Sequence, residues 1–194
     1  MSNKSELVTL IRRTQTVGSI LLFFIVMLFC WNVNGFEIKE IQLSYWGASD
    51  LKYGWIWNGI IVLLSISIFF NNILFIKEHL RIRKKTIPYI LFSFVSLCLF
   101  LVGVFNLDYG LIHTLPAWLY FFVYPLSIFI MAYLNRETLL YNEWFTHLIF
   151  SIVMIVLPLT LIGFFKGFGI SEMVHSIIVC IWNIRSAFKR FEII

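Results

Sequence analysis

Six apolar runs, each near the roughly 20 residues a helix needs to cross a bilayer, constrain this chain more than any motif in it. They cover residues 16–33, 53–76, 87–105, 114–134, 143–165 and 171–188. Inside hydrocarbon a backbone must satisfy its own polar groups, so each run is expected to be helical. The connections are too short for a separate soluble domain. The expectation is an all-α, polytopic membrane protein: one domain over residues 1–194, with six transmembrane helices in a single bundle. Composition points the same way. Of the residues 60% are hydrophobic and 13% charged, with 21 Phe and 7 Trp; a soluble domain is about 45–50% apolar and about 25% charged. A chain this short cannot hide that much apolar surface in a core, so lipid must solvate the remainder.

The placement of cations sets the threading. Lys4, Arg12 and Arg13 precede the first run, and Lys77, Arg81, Arg83, Lys84 and Lys85 follow the second. Arg136 follows the fourth, and Arg185, Lys189 and Arg190 close the chain. The alternate connections carry only Lys39, Lys52 and Lys166. The positive-inside rule then puts both termini in the cytoplasm. The net charge of +5 is therefore topological and implies no nucleic-acid partner. The basic stretch KEHLRIRKK at 77–85 also suits anionic lipid on the inner leaflet. Arg12 and Arg13 before VGSILLFFIVMLFC fit a signal peptide as well, with VNG at 33–35 as its cleavage site. Cleavage would leave five helices, otherwise oriented alike.

Aromatic residues crowd the outer side, with Trp31, Trp46, Trp55, Trp57 and Trp118 there and Trp144 and Trp182 on the inner side. Belts of Trp and Tyr mark both interfaces as a rule, so the excess suits either anchoring or an aromatic vestibule. Pro88 and Pro116 fall in first turns, where a missing N–H costs little. Thr114 is expected to cap the fourth helix, leaving His113 just outside it. Pro125 and Pro158 fall inside their spans, where each should kink its helix and free the carbonyls of Phe121 and Met154.

Candidate chemistry follows from depth. Asp50, Asp108, His113, Glu172 and His175 lie at the outer end of their spans, whereas Glu143, His147, Glu78 and His79 lie at the inner end. At 1.5 Å per residue, His147 sits roughly 20 Å from His113 and His175, which excludes a three-histidine metal site. Glu172 and His175 are three apart and share a helix face, a stripe that Val179 and Trp182 continue. Ionisable groups near a membrane interior are functional candidates. Asp108, His113, Glu172, His175 and Trp118 are therefore the expected lining of an outer, ligand-binding vestibule. No catalytic residue, metal or cofactor is implied: GxSxG, HExxH, GxxxxGK[ST] and GxGxxG are all absent, and Ser44 is a lone loop serine. Cys30, Cys98 and Cys180 are scattered, with no CxxC pair, and read as apolar fillers. Asn58, Asn71, Asn72, Thr160 and Asn183 read as groups joining helices by hydrogen bonds. No inverted repeat relates the first three helices to the last three.

Four stretches, LSYWG at 43–47, WNGIIVL at 57–63, GVFNLDYGLIHTLPAWLYFFVYPLSI at 103–128 and ISEMVHSIIVCIW at 170–182, carry a family resemblance. The chain resembles a family of small bacterial and archaeal membrane proteins, the domain of unknown function numbered 998. Motifs of similar proteins fall on Gly103, Phe105, His113, Ala117, Glu172 and Trp182. Asn106 stands where a proline is common, and Tyr45 where the first-loop motif often has an acid. The resemblance implies a multi-pass protein of a bacterial or archaeal inner membrane. It extends to eukaryotic six-helix proteins linked to lipid remodelling and lipid asymmetry. Asp108, His113 and His175 also resemble the ligands of intramembrane metal hydrolases of the alkaline ceramidase type. That group, however, has seven helices and a histidine pair in the last. The leading expectation is a non-enzymatic protein binding a lipid or small amphiphile, with membrane lipids as partners and a homo-oligomer as a compatible assembly. A small oligomeric channel or transporter is the alternative, and a metal-dependent lipid hydrolase the second alternative.

Overall fold

The computed structural model describes residues 3–34, 42–79, 83–137, 139–165 and 167–188. Among them there are six α-helices, two 3₁₀ turns and no strand. The helices are α1 Asn3–Asn34, α2 Gly54–His79, α3 Arg83–Val104, α4 Leu111–Leu134, α5 Tyr141–Phe164 and α6 Gly169–Phe188. Five of them, α1 to α5, are long and apolar enough to cross a membrane. The sixth is the shortest and carries Glu172, His175, Asn183 and Arg185. Its polarity has a physical reason, since α6 turns these groups inward.

Each helix packs against its chain neighbours, and α1 also meets α6. The six therefore close into a ring, whose α1–α6 seam is the most lightly packed. The ring's outer surface is apolar: Ile25, Phe70, Phe94, Leu126, Ile152 and Val156 are all exposed. So large an apolar exterior is what a lipid-solvated protein presents. Inside, two clusters fill the ring. One gathers Phe23, Cys30, Trp46, Trp57, Ile61 and Leu99. The other gathers Phe92, Tyr124, Ile128, Met154, Val179 and Trp182. Trp182 reaches across the interior to Phe92, 5.2 Å between ring centres, and to Tyr124 at 5.9 Å.

Close approach has a sequence cause. A Cβ on Gly103 would lie 2.8 Å from Val62 Cγ2 and 3.0 Å from the Asn58 carbonyl, so only glycine lets α3 sit this tightly on α2. The start of α4 differs from expectation. Gly110, at φ 55°, is the N-cap, and Thr114 lies inside the first turn, donating its hydroxyl to the Gly110 carbonyl. A glycine free to take positive φ begins the helix earlier than the threonine would. His113 is consequently helical and buried at 3% exposure, rather than outside the helix at the interface.

At the end of the bundle that bears the chain termini, α6 is tied on both sides. Arg13 of α1 donates to the carbonyls of Ala187 and Phe188, where a cation suits the helix dipole. Arg185 pairs with Glu143 of α5 at 2.7 Å. The expected basic contact at 77–85 and the VNG site at 33–35 lie outside the described residues in whole or part.

Candidate functional site

The far end of the ring, opposite the termini, is covered by the loop at 42–53. Its 3₁₀ turn Leu43–Gly47 sets Trp46 into the ring at 1% exposure, edge-on to Trp57 with 5.1 Å between ring centres. Two carboxylates fasten the loop. Glu172, in the first turn of α6, accepts the backbone N–H groups of Leu43 and Ser44. Asp108 accepts the N–H of Ser49 at 2.9 Å. Asn58 of α2 adds a bond to the Gly47 carbonyl at 2.8 Å.

Beneath this lid lies a chamber of about 100 Å³. His113, Glu172 and His175 line it, with Ser44, Tyr120, Phe121, Trp57 and Ser176 among the others. The ring therefore brings together three of the five residues expected to form a vestibule. Asp108 is exposed and holds the lid from outside. Hydrogen bonds from the Ser49 hydroxyl and N–H keep its carboxyl below the usual carboxylate range. Trp118 lies elsewhere, stacked on Phe122 at 5.6 Å and edge-on to Phe168.

Each histidine is fixed by a backbone carbonyl. His113 Nδ1 lies 2.7 Å from the Phe105 carbonyl. His175 Nδ1 lies 3.1 Å from the Met154 carbonyl, the one that Pro158 leaves without its helical N–H. Ser171 donates to the Pro158 carbonyl at 2.9 Å. The proline inside α5 thus makes a socket for α6, and Met154 is where its freed acceptor is used. Because a carbonyl can only accept, Nδ1 carries the proton in both rings. In His175 this leaves Nε2 as a buried lone pair without a partner among the described residues. Ser44 Oγ is in the same position. The imidazole also stacks on Phe121 at 4.3 Å. Buried polar atoms of this kind call for a water or a ligand.

A second chamber, of about 120 Å³, occupies the half nearer the termini. Arg12, Thr16, Ser67, Asn71, Asn72 and Ser186 contribute to its polar wall. The two chambers share Ile61, Leu99, Tyr120 and Ser176, which form the partition between them. Sequence reading missed Ser176, although it stands four residues after Glu172 and so on its helix face. It also missed this second chamber, having taken Asn71 and Asn72 singly. Among the described residues no three His, Cys, Asp or Glu side chains gather as a metal ion would require.

A closed ring of lipid-facing helices with polar chambers inside defines a helical membrane protein. Residues 16–189 match the family model described as "Protein of unknown function (DUF998)", and the chain belongs to that family. No curated protein and no solved structure matches it.

Proposed function

We propose that this protein crosses the bacterial or archaeal inner membrane six times, with both termini in the cytoplasm. In this reading it binds the polar end of a lipid or small amphiphile in the chamber beneath its extracytoplasmic lid. The observation that carries it is the pair of buried, unpartnered atoms, Ser44 Oγ and His175 Nε2, facing one chamber with the Glu172 carboxyl. Acceptors dominate that wall, and Trp57, Tyr120 and Phe121 supply aromatic faces. The chemistry suits a head group that brings N–H donors, such as a primary amine. About 100 Å³ holds a head group and not an acyl chain, which stays in lipid. In this reading His113, Glu172 and His175 line the chamber, Asp108 acts on the lid, and Trp118 stands outside the lining, packed on Phe121 and Phe122.

The test compares thermal stabilisation of the delipidated protein by short-chain phosphatidylethanolamine and by phosphatidylcholine. The amine should stabilise more. Ala117→Leu, which fills this chamber without touching the latch, should abolish the difference. Equal stabilisation by both lipids, or a difference that survives Ala117→Leu, overturns the reading.

One observation favours a second reading, a channel or transporter. The two chambers share a partition formed by Ile61, Leu99, Tyr120 and Ser176. Solute flux into proteoliposomes that changes on substitution of Ser176 would support it.

A further inference from the structure

The chamber nearer the termini calls for a different group from the one under the lid. Much of its polar wall is already served within the bundle. Ser19 donates to the Gln15 carbonyl at 2.8 Å and lies 3.4 Å from the Ser67 hydroxyl. Asn183 donates to the Tyr124 hydroxyl and the Val179 carbonyl, and Asn71 Nδ2 donates to Thr16 Oγ1 at 3.4 Å. Arg12, on the same wall, is engaged with another group. Three buried atoms are left without a partner among the described residues: Asn72 Nδ2, Asn71 Oδ1 and Ser186 Oγ. Asn72 is 8% exposed as a whole. Two of these residues are neighbours on α2 and the third stands on α6, and all three line the one cavity. Together they offer an amide donor, an amide acceptor and a hydroxyl that can act as either. Leaving such groups dry in a buried wall is costly.

We infer that this chamber binds a small neutral polyol, either the glycerol head of an uncharged lipid entering through the α1–α6 seam or a free polyol. The complement of a donor, an acceptor and a hydroxyl is a group that donates and accepts at neighbouring atoms, as adjacent hydroxyls do. An ion of either sign would satisfy one of the two amide atoms and repel the other. Turning either amide over leaves the match intact, since a hydroxyl serves both of its atoms. Size agrees as well: about 120 Å³ is the volume of roughly four waters, which suits a three-carbon polyol. Phe23, Ile61, Leu64 and Val179 supply apolar wall for its carbon skeleton.

The experiment uses the full chain, delipidated in a sugar-free, non-ionic detergent. Its unfolding midpoint is read against monodecanoylglycerol and against methyl decanoate, which has the same acyl chain and no hydroxyl. A third arm uses glycerol at millimolar concentration, too dilute to act by exclusion from the protein surface. Stabilisation by monodecanoylglycerol and not by glycerol identifies a lipid site; stabilisation by glycerol identifies a site for the free polyol. In either case Asn72→Leu should weaken the apparent affinity about tenfold and Ser186→Ala about fivefold, each the loss of a hydrogen bond to the ligand. Asn72→Leu should not lower the midpoint of the ligand-free chain, because an unpaired buried amide gives way to an apolar group of similar shape. Asn142→Ala, which removes an exposed amide elsewhere, should leave the affinity unchanged. The inference is overturned if neither polyol stabilises the wild-type chain, if methyl decanoate stabilises it equally, or if either variant keeps full affinity. Should Asn72→Leu fail to fold, Ser186→Ala decides alone. Ala117→Leu must retain polyol binding, which separates this site from the chamber under the lid.

Discussion

The two ends of the ring are built on opposite plans. At the far end a loop closes the mouth, and among the described residues the one charged group in the chamber wall is the acid Glu172. At the other end, where α1 begins and α6 ends, the wall is built from helices, and its charged residue among the described ones is the base Arg12. Both chambers hold buried polar atoms without partners, yet only the far one is roofed by backbone that a carboxylate grips. The difference shows how one ring can present two chemistries: a lid held by an acid over one chamber, and a seam beside a cation at the other.

The largest effect expected concerns the lid itself. Trp46→Ala removes a fully buried ring that plugs the ring's mouth, a loss of about 3–5 kcal/mol for a large core side chain. The far chamber should then admit water while the other does not change. A cysteine placed at Ala117 should react with an impermeant thiol reagent only in the Trp46→Ala background. Equal labelling with Trp46 present would show that the lid does not seal.

Next in size is the latch. Glu172→Ala leaves the N–H groups of Leu43 and Ser44 without their acceptor, for a cost of about 2–4 kcal/mol. Glu172→Gln keeps one carbonyl oxygen and should lose about half as much. Thermal unfolding in detergent measures both. Hydrogen exchange should quicken at 43–49 and stay unchanged in α1, which is the sharpest check that the two ends are independent.

A smaller effect is expected at the end that bears the termini. Asn183 donates to the Tyr124 hydroxyl at 2.7 Å, a link from α6 to α4 under the near chamber. Tyr124→Phe should cost about 1 kcal/mol and leave exchange in the lid untouched.

What could be read beforehand followed from strong local signals. Runs of apolar residues fixed six helices, and the three-residue spacing of Glu172 and His175 put them on one face, where both line a single chamber. The place of Pro158 inside α5 was legible too, and with it the carbonyl of Met154 that a proline leaves without its helical N–H. Its use was not, because the acceptor's partner, His175, lies 21 residues on in the next helix and is found only by packing. The lid was missed for the same reason. Nothing in LSYWG says that Trp46 turns inward, since in a membrane chain a tryptophan suits an interface equally well. The N-cap of α4 shows local rules competing: Thr114 has the better capping side chain, but Gly110 can take the positive φ that begins the helix.

The smallest effect, and the one that tests the latch from the outside, belongs to Asp108. Its carboxyl is held below the ordinary value of 3.8 by the Ser49 hydroxyl first and the Ser49 N–H second. A depressed pKa means that the folded state favours the charged form, so the contribution is complete above pH 3.8 and fades as pH falls through the lower folded value. Because Asp108 is solvent-exposed, the effect on global stability should be slight and screened by salt. The local readout is sharper: at neutral pH, Asp108→Asn should speed exchange of the Ser49 N–H. Wild-type exchange there, corrected for the intrinsic pH dependence, should approach the mutant's only in acid below 3.8. Tyr45 offers an internal control, since Asp50 accepts its hydroxyl proton at 3.2 Å and raises its pKa, leaving it protonated throughout this range. If Ser49 is as well protected in Asp108→Asn as in wild type, then Glu172 is the one carboxylate that latches the lid, beside the Asn58 bond to Gly47.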